Sequence, residues 1–249
     1  MTFKDARVIV TGGASGIGRA TAQWFIARGA AVAVLDRDGA ELDGIASFVV
    51  DVTDDEAVRQ AVAVAIAHLE GLDTLVNNAG IGAQGTVEDN NDEEWLRVLD
   101  INLLGLVRVT RACLPALRQS VNASIVNTCS VAATVGLPER ALYSASKGAV
   151  ASLSLAMAAD YLREGIRVNC VSPGTTDTPW IGRLLDRAND PQAERAALSA
   201  RQPHGRLVTG EEIAAAIGYL AGRDSGSTTG ATLVVDGGLT TLRTRPTPQ

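Results

Sequence analysis

Short apolar runs alternate along this chain with stretches in which apolar positions recur at helical spacing. "ARVIV" (6–10) is the first run, and it stops at Gly12 and Gly13. "GRATAQWFIARG" (18–29) sets Ala22, Phe25 and Ile26 on one side and ends at Gly29, which predicts a helix. "AAVAVLD" (30–36) and "SFVVDV" (47–52) predict the second and third strands. Thr53 and Glu56 have the spacing of a capping box, opening a helix that carries Val58, Ala61, Val62, Ala65, Ile66 and Leu69. "LDTLVNNAG" (72–80) reads as a fourth strand with its turn, 92–118 as one long helix, and "SIVNTCS" (124–130) as a fifth strand. A helix over 143–164, the strand "IRVNCVSPG" (166–174), a helix over 211–222 and the strand "ATLVVDGG" (231–238) complete the series.

Most of these strands are apolar without a break, as expected when helices cover both faces of a parallel sheet. The alternation predicts one α/β domain over 1–249, a three-layer sandwich around a doubly wound parallel sheet. The tail "TLRTRPTPQ" (241–249) is expected to be loosely held.

Composition changes this picture little. The 249 residues are 46% hydrophobic, enough for a large core, and the net charge is -6. Like charges form no block, so neither a nucleic-acid face nor a membrane-binding stripe is expected. Cys113, Cys129 and Cys170 have no motif spacing, which suggests reduced thiols of a cytoplasmic protein and neither a disulfide frame nor a metal site. "MTFKDARVIVTGG" enters a strand at once, leaving no room for a signal peptide, and no apolar run is long enough to span a membrane.

The candidate chemistry sits at the strand ends. "TGGASGIG" (11–18) separates the first strand from the first helix, with Gly12, Gly16 and Gly18 spaced so that backbone N–H groups can approach a pyrophosphate at the helix's positive end. A structural turn is the plainer reading of the glycines alone. Asp36 ends the second strand, where a carboxylate can accept bonds from ribose hydroxyls. It would repel a 2′-phosphate by about 4 kcal/mol at ~4 Å and an effective dielectric of ~20, which favours NAD over NADP. Arg37 beside it could instead swing toward a phosphate. Asp51 and Val52 end the third strand, where the adenine edge is expected.

"YSASK" (143–147) places Tyr143 and Lys147 on one helix face. A nearby ammonium favours phenolate over phenol, so the pair can accept a proton near neutral pH. Tyr143 would take an alcohol's hydroxyl proton while the same carbon gives up hydride, and Lys147 would hold the tyrosinate. Ser130, at the end of the fifth strand, can orient the reacting oxygen. Asn102 falls inside the 92–118 helix, an unfavourable place for asparagine, and could anchor a water that relays protons from Lys147.

"TGGASGIG", "NNAG", Asn102, Ser130, "YSASK", "SPGTTDTP" and "VDGG" together resemble the short-chain dehydrogenase/reductase superfamily, over residue 6 to about 240. The resemblance implies a Rossmann-like domain and a catalytic tetrad of Asn102, Ser130, Tyr143 and Lys147. It further implies dinucleotide contacts at Ser15, Ile17, Asp36, Asp51, Val52, Asn78, Ala79, Gly80, Pro173, Gly174 and Thr178, alongside Tyr143 and Lys147. A homotetramer or homodimer is implied too, with the 92–118 and 143–164 helices paired across an interface.

"CVSPGTTDTPW", "ARQPHGRL", "EEIAAAIGYLA" and "TTG" are similar to type 2 3-hydroxybutyrate dehydrogenases and 2-keto-3-deoxy-L-fuconate dehydrogenases, which handle small carboxylated alcohols. Arg140 and Arg201 are candidate carboxylate ligands, with Arg183, Arg187 and His204 in or near the same segment. Subunit salt bridges or solvent exposure are the alternatives for these side chains. Trp180 is a candidate cap on the pocket or an interface residue. Ala83 and Gln84 are candidates for the opposite wall, and Cys129 is expected to be a strand filler. The only partner expected besides further copies of the chain is a small-molecule substrate.

Overall fold

Two apolar faces on the central strands oblige the chain to cover its sheet twice. Val8 and Val10 point into one layer, while Ile9 between them points into the other. The same division separates Val34 from Leu35, Val76 from Leu75 and Val126 from Ile125. The computed structural model describes residues 2–39, 42–186 and 188–245. Among these, β1 (Arg7–Thr11), β2 (Ala31–Asp36), β3 (Ala46–Val49), β4 (Thr74–Asn77), β5 (Ser124–Thr128), β6 (Arg167–Pro173) and β7 (Thr232–Val235) form one sheet. Its order is β3-β2-β1-β4-β5-β6-β7, and every neighbouring pair is parallel. The protein is thus a single Rossmann-like α/β domain. The chain winds outward from β1 to β3, then returns to place β4 on the other side of β1. That reversal opens a crevice beyond the carboxyl ends of the strands, where ligands bind in such sheets.

The helices are α1 (Gly16–Ile26), α2 (Asp55–Leu69), α3 (Asp92–Leu99), α4 (Gly105–Leu117), α5 (Ala141–Tyr161), α6 (Pro179–Leu185), α7 (Pro191–Ala200) and α8 (Gly210–Ala221). α1 and α8 cover one face, burying Phe25, Ile213, Ile217 and Leu220. They approach closely because Gly218 has no side chain: a Cβ there would overlap the Trp24 indole. α2, α4 and α5 cover the other face through residues that include Val58, Val62, Val109, Leu117 and Val150. No described helix is long and apolar enough to cross a membrane.

Three expectations change. The 92–118 helix is not uniform: a π-helical turn, Asp100–Leu104, lies between α3 and α4 and carries Asn102. The proposed Thr53/Glu56 capping box does not form. Asp54 is the N-cap of α2 and accepts from Ala57 N at 3.0 Å, because the Thr53 hydroxyl is committed to Asp51 Oδ1 at 2.8 Å. The capping box in this fold belongs to α8, between Thr209 and Glu212. α6 and α7 were not anticipated as helices; they form the segment after Pro179. Arg187 and the last four residues of the tail lie outside the described residues.

One buried cation closes the lower end of the α8 layer. Arg167, at the start of β6, donates from its guanidinium to the carbonyls of Leu220 (2.6 Å), Ala221 (3.0 Å) and Gly222 (3.1 Å) and to Ser225 Oγ (2.9 Å). It thereby satisfies the carbonyls that end the helix. Arg167→Leu strands several buried acceptors. We expect a loss of about 3 kcal/mol or more, read as a fall in Tm of roughly 6–12 °C. An unchanged Tm would show that these carbonyls find other partners.

Candidate active site

The ends of β1, β2, β3, β4 and β6 build the first half of the crevice. After β1 the backbone turns left-handed at Gly12 (φ 65°) and Gly16 (φ 53°), conformations that glycine adopts without strain. The loop also lies too close to its neighbours for side chains. A Cβ on Gly12 would stand 2.8 Å from Ala79 Cα, and one on Gly18 would overlap the Gly12 carbonyl. Polar bonds brace it from both sides. Asn78 Nδ2 donates to the carbonyls of Thr11 and Gly12, each at 3.2 Å. Asp36 Oδ2 accepts from Ala14 N at 2.8 Å. Ser15 caps α1 in extended geometry, its hydroxyl makes no capping bond, and the first turn of α1 holds no acidic side chain. The positive end of the helix therefore remains available to an anion.

A cavity of about 600 Å³ runs from this loop across the sheet. Gly12, Ser15, Gly16 and Ile17 line its floor, with Asp36, Asp51 and Val52 toward β2 and β3. Asn78, Ala79 and Gly80 line it after β4, Pro173 at the end of β6, and Gly174 and Thr178 after β6. Gly18 stands behind the loop, where its missing Cβ admits the Gly12 carbonyl and the Asn78 amide. Asp51 is held below the ordinary carboxylate range by hydrogen bonds from the Thr53 N–H and hydroxyl. The glycine cradle, the open helix end and the acid at the end of β2 fit a nicotinamide dinucleotide.

The second half is built by β5, α3, α5, the π-turn and α6–α7. Tyr143 and Lys147 lie one turn apart on α5, and both line the cavity. Lys147 is only 5% exposed; its Nζ donates to Thr128 O at 2.9 Å and stands 5.9 Å from the Tyr143 ring centroid. The two groups therefore face one another as the helical spacing predicted. Ser130 follows β5, lines the cavity, and accepts from Ala132 N at 3.2 Å, which leaves its O–H free to donate. Asn102 is not bonded to Lys147. Its amide pairs with the main chain of Ile81, Oδ1 accepting from N at 2.8 Å and Nδ2 donating to O at 2.9 Å. Nδ2 also donates to Ser146 Oγ at 3.1 Å. Ser146, missed in the sequence, donates in turn to Tyr143 O at 2.8 Å. Asn102 thus ties the loop after β4 to the helix that carries Tyr143. Gly80 is the close point between them: a Cβ there would lie 3.1 Å from Asn102 Oδ1 and 3.6 Å from Lys147 Nζ.

The part of the cavity lined by α5 to α7 has a distinct character. Arg140, Arg183 and Arg201 line the cavity, as does Arg97, which the sequence reading did not single out. The lining acids are Asp36, Asp38 and Asp51, all at the β2–β3 end. Burial and then the positive charge of Arg201 depress the Arg140 pKa, with Glu139 and Tyr143 acting in the opposite sense. Trp180 is 42% exposed, and its indole rests against Gly82, where a Cβ would lie 2.9 Å from Cζ2. Ala83 lines the wall, but Gln84 does not; its exposed amide turns away to Glu139 at 3.2 Å. Gly82, by admitting Trp180, occupies the place expected of Gln84. His204 stands outside the cavity against Gly237. Cys129 is buried yet forms part of the wall, its thiol 3.2 Å from Lys147 O. Among the described residues no cluster of three or more His, Cys, Asp or Glu could hold a metal.

Comparison with known proteins agrees with this architecture. Residues 12–240 match the family described as Enoyl-(Acyl carrier protein) reductase. The chain is 39% identical to a 2-keto-3-deoxy-L-fuconate dehydrogenase of Xanthomonas campestris pv. campestris, over 95% of this chain and 80% of that one. It is 41% identical to an inactive 2-(S)-hydroxypropyl-CoM dehydrogenase 2 of Xanthobacter autotrophicus, over 86% and 96%. The ligand-free aldohexose dehydrogenase of Thermoplasma acidophilum superposes with a TM-score of 0.94 at 32% identity, covering 99% of this chain and 98% of that one. The chain belongs to the short-chain dehydrogenase/reductase family, oxidoreductases that use nicotinamide dinucleotides.

Gly18→Ala places a methyl group against the Gly12 carbonyl and displaces the loop. Dinucleotide affinity, measured by calorimetry, should fall about tenfold or more, or ~1.4 kcal/mol. Unchanged affinity would remove the loop from the binding site.

Proposed function

We propose that the protein is an NAD-dependent dehydrogenase that interconverts a secondary alcohol and a ketone on a small hydroxy acid or sugar acid. The observation that carries the substrate class is the arginine-rich wall. Arg140 and Arg201 act on one another electrostatically, and the cavity acids lie at its other end. A carboxylate between the two guanidinium groups relieves their repulsion and accepts charge-assisted, bidentate hydrogen bonds. The similarity to a dehydrogenase named for a keto-deoxy sugar acid supports the same class.

When bound, the dinucleotide supplies a nicotinamide ring that accepts or returns hydride. Asp36 accepts from ribose hydroxyls and repels a 2′-phosphate, which favours NAD. Arg37 is exposed and pairs with Asp38 at 3.7 Å. Ser130 donates a hydrogen bond from its hydroxyl to the substrate oxygen and orients it. Tyr143 Oη takes the proton from the alcohol in oxidation and returns it in reduction. Lys147, positive and buried beside the ring, stabilises the negative charge that develops on Oη. Trp180, resting on Gly82, shields the reacting groups from water.

A binding role without turnover is the second reading, since one 41% identical relative is described as inactive. The facing Tyr143 and Lys147, with the free Ser130 proton, argue for catalysis. We further propose that copies of the chain assemble through α4 and α5 into a tetramer or dimer. Leu104 at the π-turn before α4, Leu155 in α5 and Leu162 just after it are 46%, 57% and 57% exposed. The buried free thiols of Cys113, Cys129 and Cys170 suit a reducing cytoplasm.

Tyr143→Phe should lower kcat by about 10²- to 10⁴-fold while NAD affinity holds, since only the proton acceptor is removed. A retained rate, followed by NADH absorbance, would take the proton role from Tyr143. Arg140→Leu should raise KM for a hydroxy acid about 10- to 100-fold and leave neutral alcohols unaffected. Equal activity on acid and neutral substrates would remove the carboxylate reading and leave a broad carbonyl reductase, such as a 3-oxoacyl thioester reductase.

A further inference from the structure

The segment that carries Trp180 and Arg201 leaves the sheet after β6 and returns beside its own start. Asp177 N donates to Val208 O at 2.8 Å, and Val208 N to Thr175 O at 3.0 Å. Between these bonds α6 and α7 enclose a small core of their own, built from Ile181, Leu185, Leu198 and Leu207. Both limbs of the excursion therefore meet at a narrow base.

Gln202 occupies it. The side chain is 1% exposed, although glutamine is ordinarily a surface residue. Its Nε2 donates to Thr175 O at 3.2 Å on the outgoing limb and to Arg206 O at 2.6 Å on the returning limb. One amide thus ties both limbs. Its Oε1 finds no hydrogen-bond partner among the described residues and lies against Gly174, where a Cβ would overlap it. The missing Gly174 side chain is what lets the amide reach both carbonyls. A buried acceptor left unpaired is uncommon, so the site favours the two donor bonds over full satisfaction. Arg201 is the adjacent residue and the C-cap of α7, so the backbone that carries its guanidinium continues straight into the anchored Gln202.

We propose that Gln202 is a positioning residue: by tying Thr175 to Arg206 it holds Arg201 opposite Arg140 at the spacing a carboxylate requires. The proposal rests on the carboxylate reading above. It assigns Gln202 no contact with substrate. Its effect is specific to charged substrates, because Arg201 is the group it places.

Gln202→Met keeps the length of the side chain and removes both donor bonds. Gln202→Glu keeps the shape and sets an acceptor against the two carbonyls; it tests the same bonds should the methionine variant not fold. Each is compared with Arg201→Leu in NADH-absorbance kinetics on 3-hydroxybutyrate, or an aldonate that turns over faster, and on its methyl ester. We expect KM for the acid to rise about tenfold with kcat within roughly threefold, the ester KM unchanged, and NAD affinity by calorimetry unchanged. An unchanged acid KM in a folded variant overturns the proposal. So does an equal rise for acid and ester, which marks a merely structural role. If Arg201→Leu leaves the acid-to-ester preference intact, it is the carboxylate reading that fails, whatever Gln202 does.

Discussion

A positive charge kept inside the protein is the constraint on which the rest of the site depends. Lys147 is almost wholly buried, and its ammonium has one hydrogen bond among the described residues, to the Thr128 carbonyl at 2.9 Å. Removing an ammonium from water is costly unless something recovers the charge. Here the ammonium lies at the cavity wall, 5.9 Å from the centroid of the Tyr143 ring. The carbonyl of Thr128 is available because β5 ends there and hands the chain to Ser130. The same strand end that anchors the lysine therefore also brings the Ser130 hydroxyl to the cavity.

Topology brings the remaining parts to that point. The reversal between β1 and β4 leaves a gap beyond the strand ends, and the Gly12–Gly18 loop fills its floor without filling its volume. Asn102 then joins two elements far apart in sequence, the loop after β4 and α5, through Ile81 and Ser146. It needs both ends of its amide for Ile81, and the chain accommodates this with a π-turn inside an otherwise regular helix. Such turns are frequent at functional sites because they re-aim a side chain at little cost to the helix. The arginine wall and the α6–α7 excursion complete the cavity at the end away from Asp36.

Much of this was legible in the sequence, and the legible parts share a cause. Strands buried on both faces read as unbroken apolar runs, so the sheet showed plainly. The Gly12, Gly16 and Gly18 spacing, Asp36, and the Tyr143–Lys147 pair depend on local geometry, which sequence spacing reports. Of the parts missed, some depend on contacts made at long range and others on local bonds or short elements that spacing does not report. The π-turn carries Asn102, whose partner Ile81 lies twenty-one residues earlier. Thr53 lost its capping role because its hydroxyl bonds Asp51, which no capping pattern reveals. Gln84 seemed a wall residue only because the position of Trp180 against Gly82 was unknown. α6 and α7 are short, and their shared core of four side chains leaves too little periodicity to be read.

Chemical rescue at Lys147 tests the central claim most directly. Lys147→Ala removes the buried ammonium and leaves a space open to small cations. The account predicts that kcat on the best hydroxy acid falls by about 10²-fold or more and partly returns when methylammonium is added. Turnover undiminished in the folded variant would show that the charge beside Tyr143 is not what drives proton transfer.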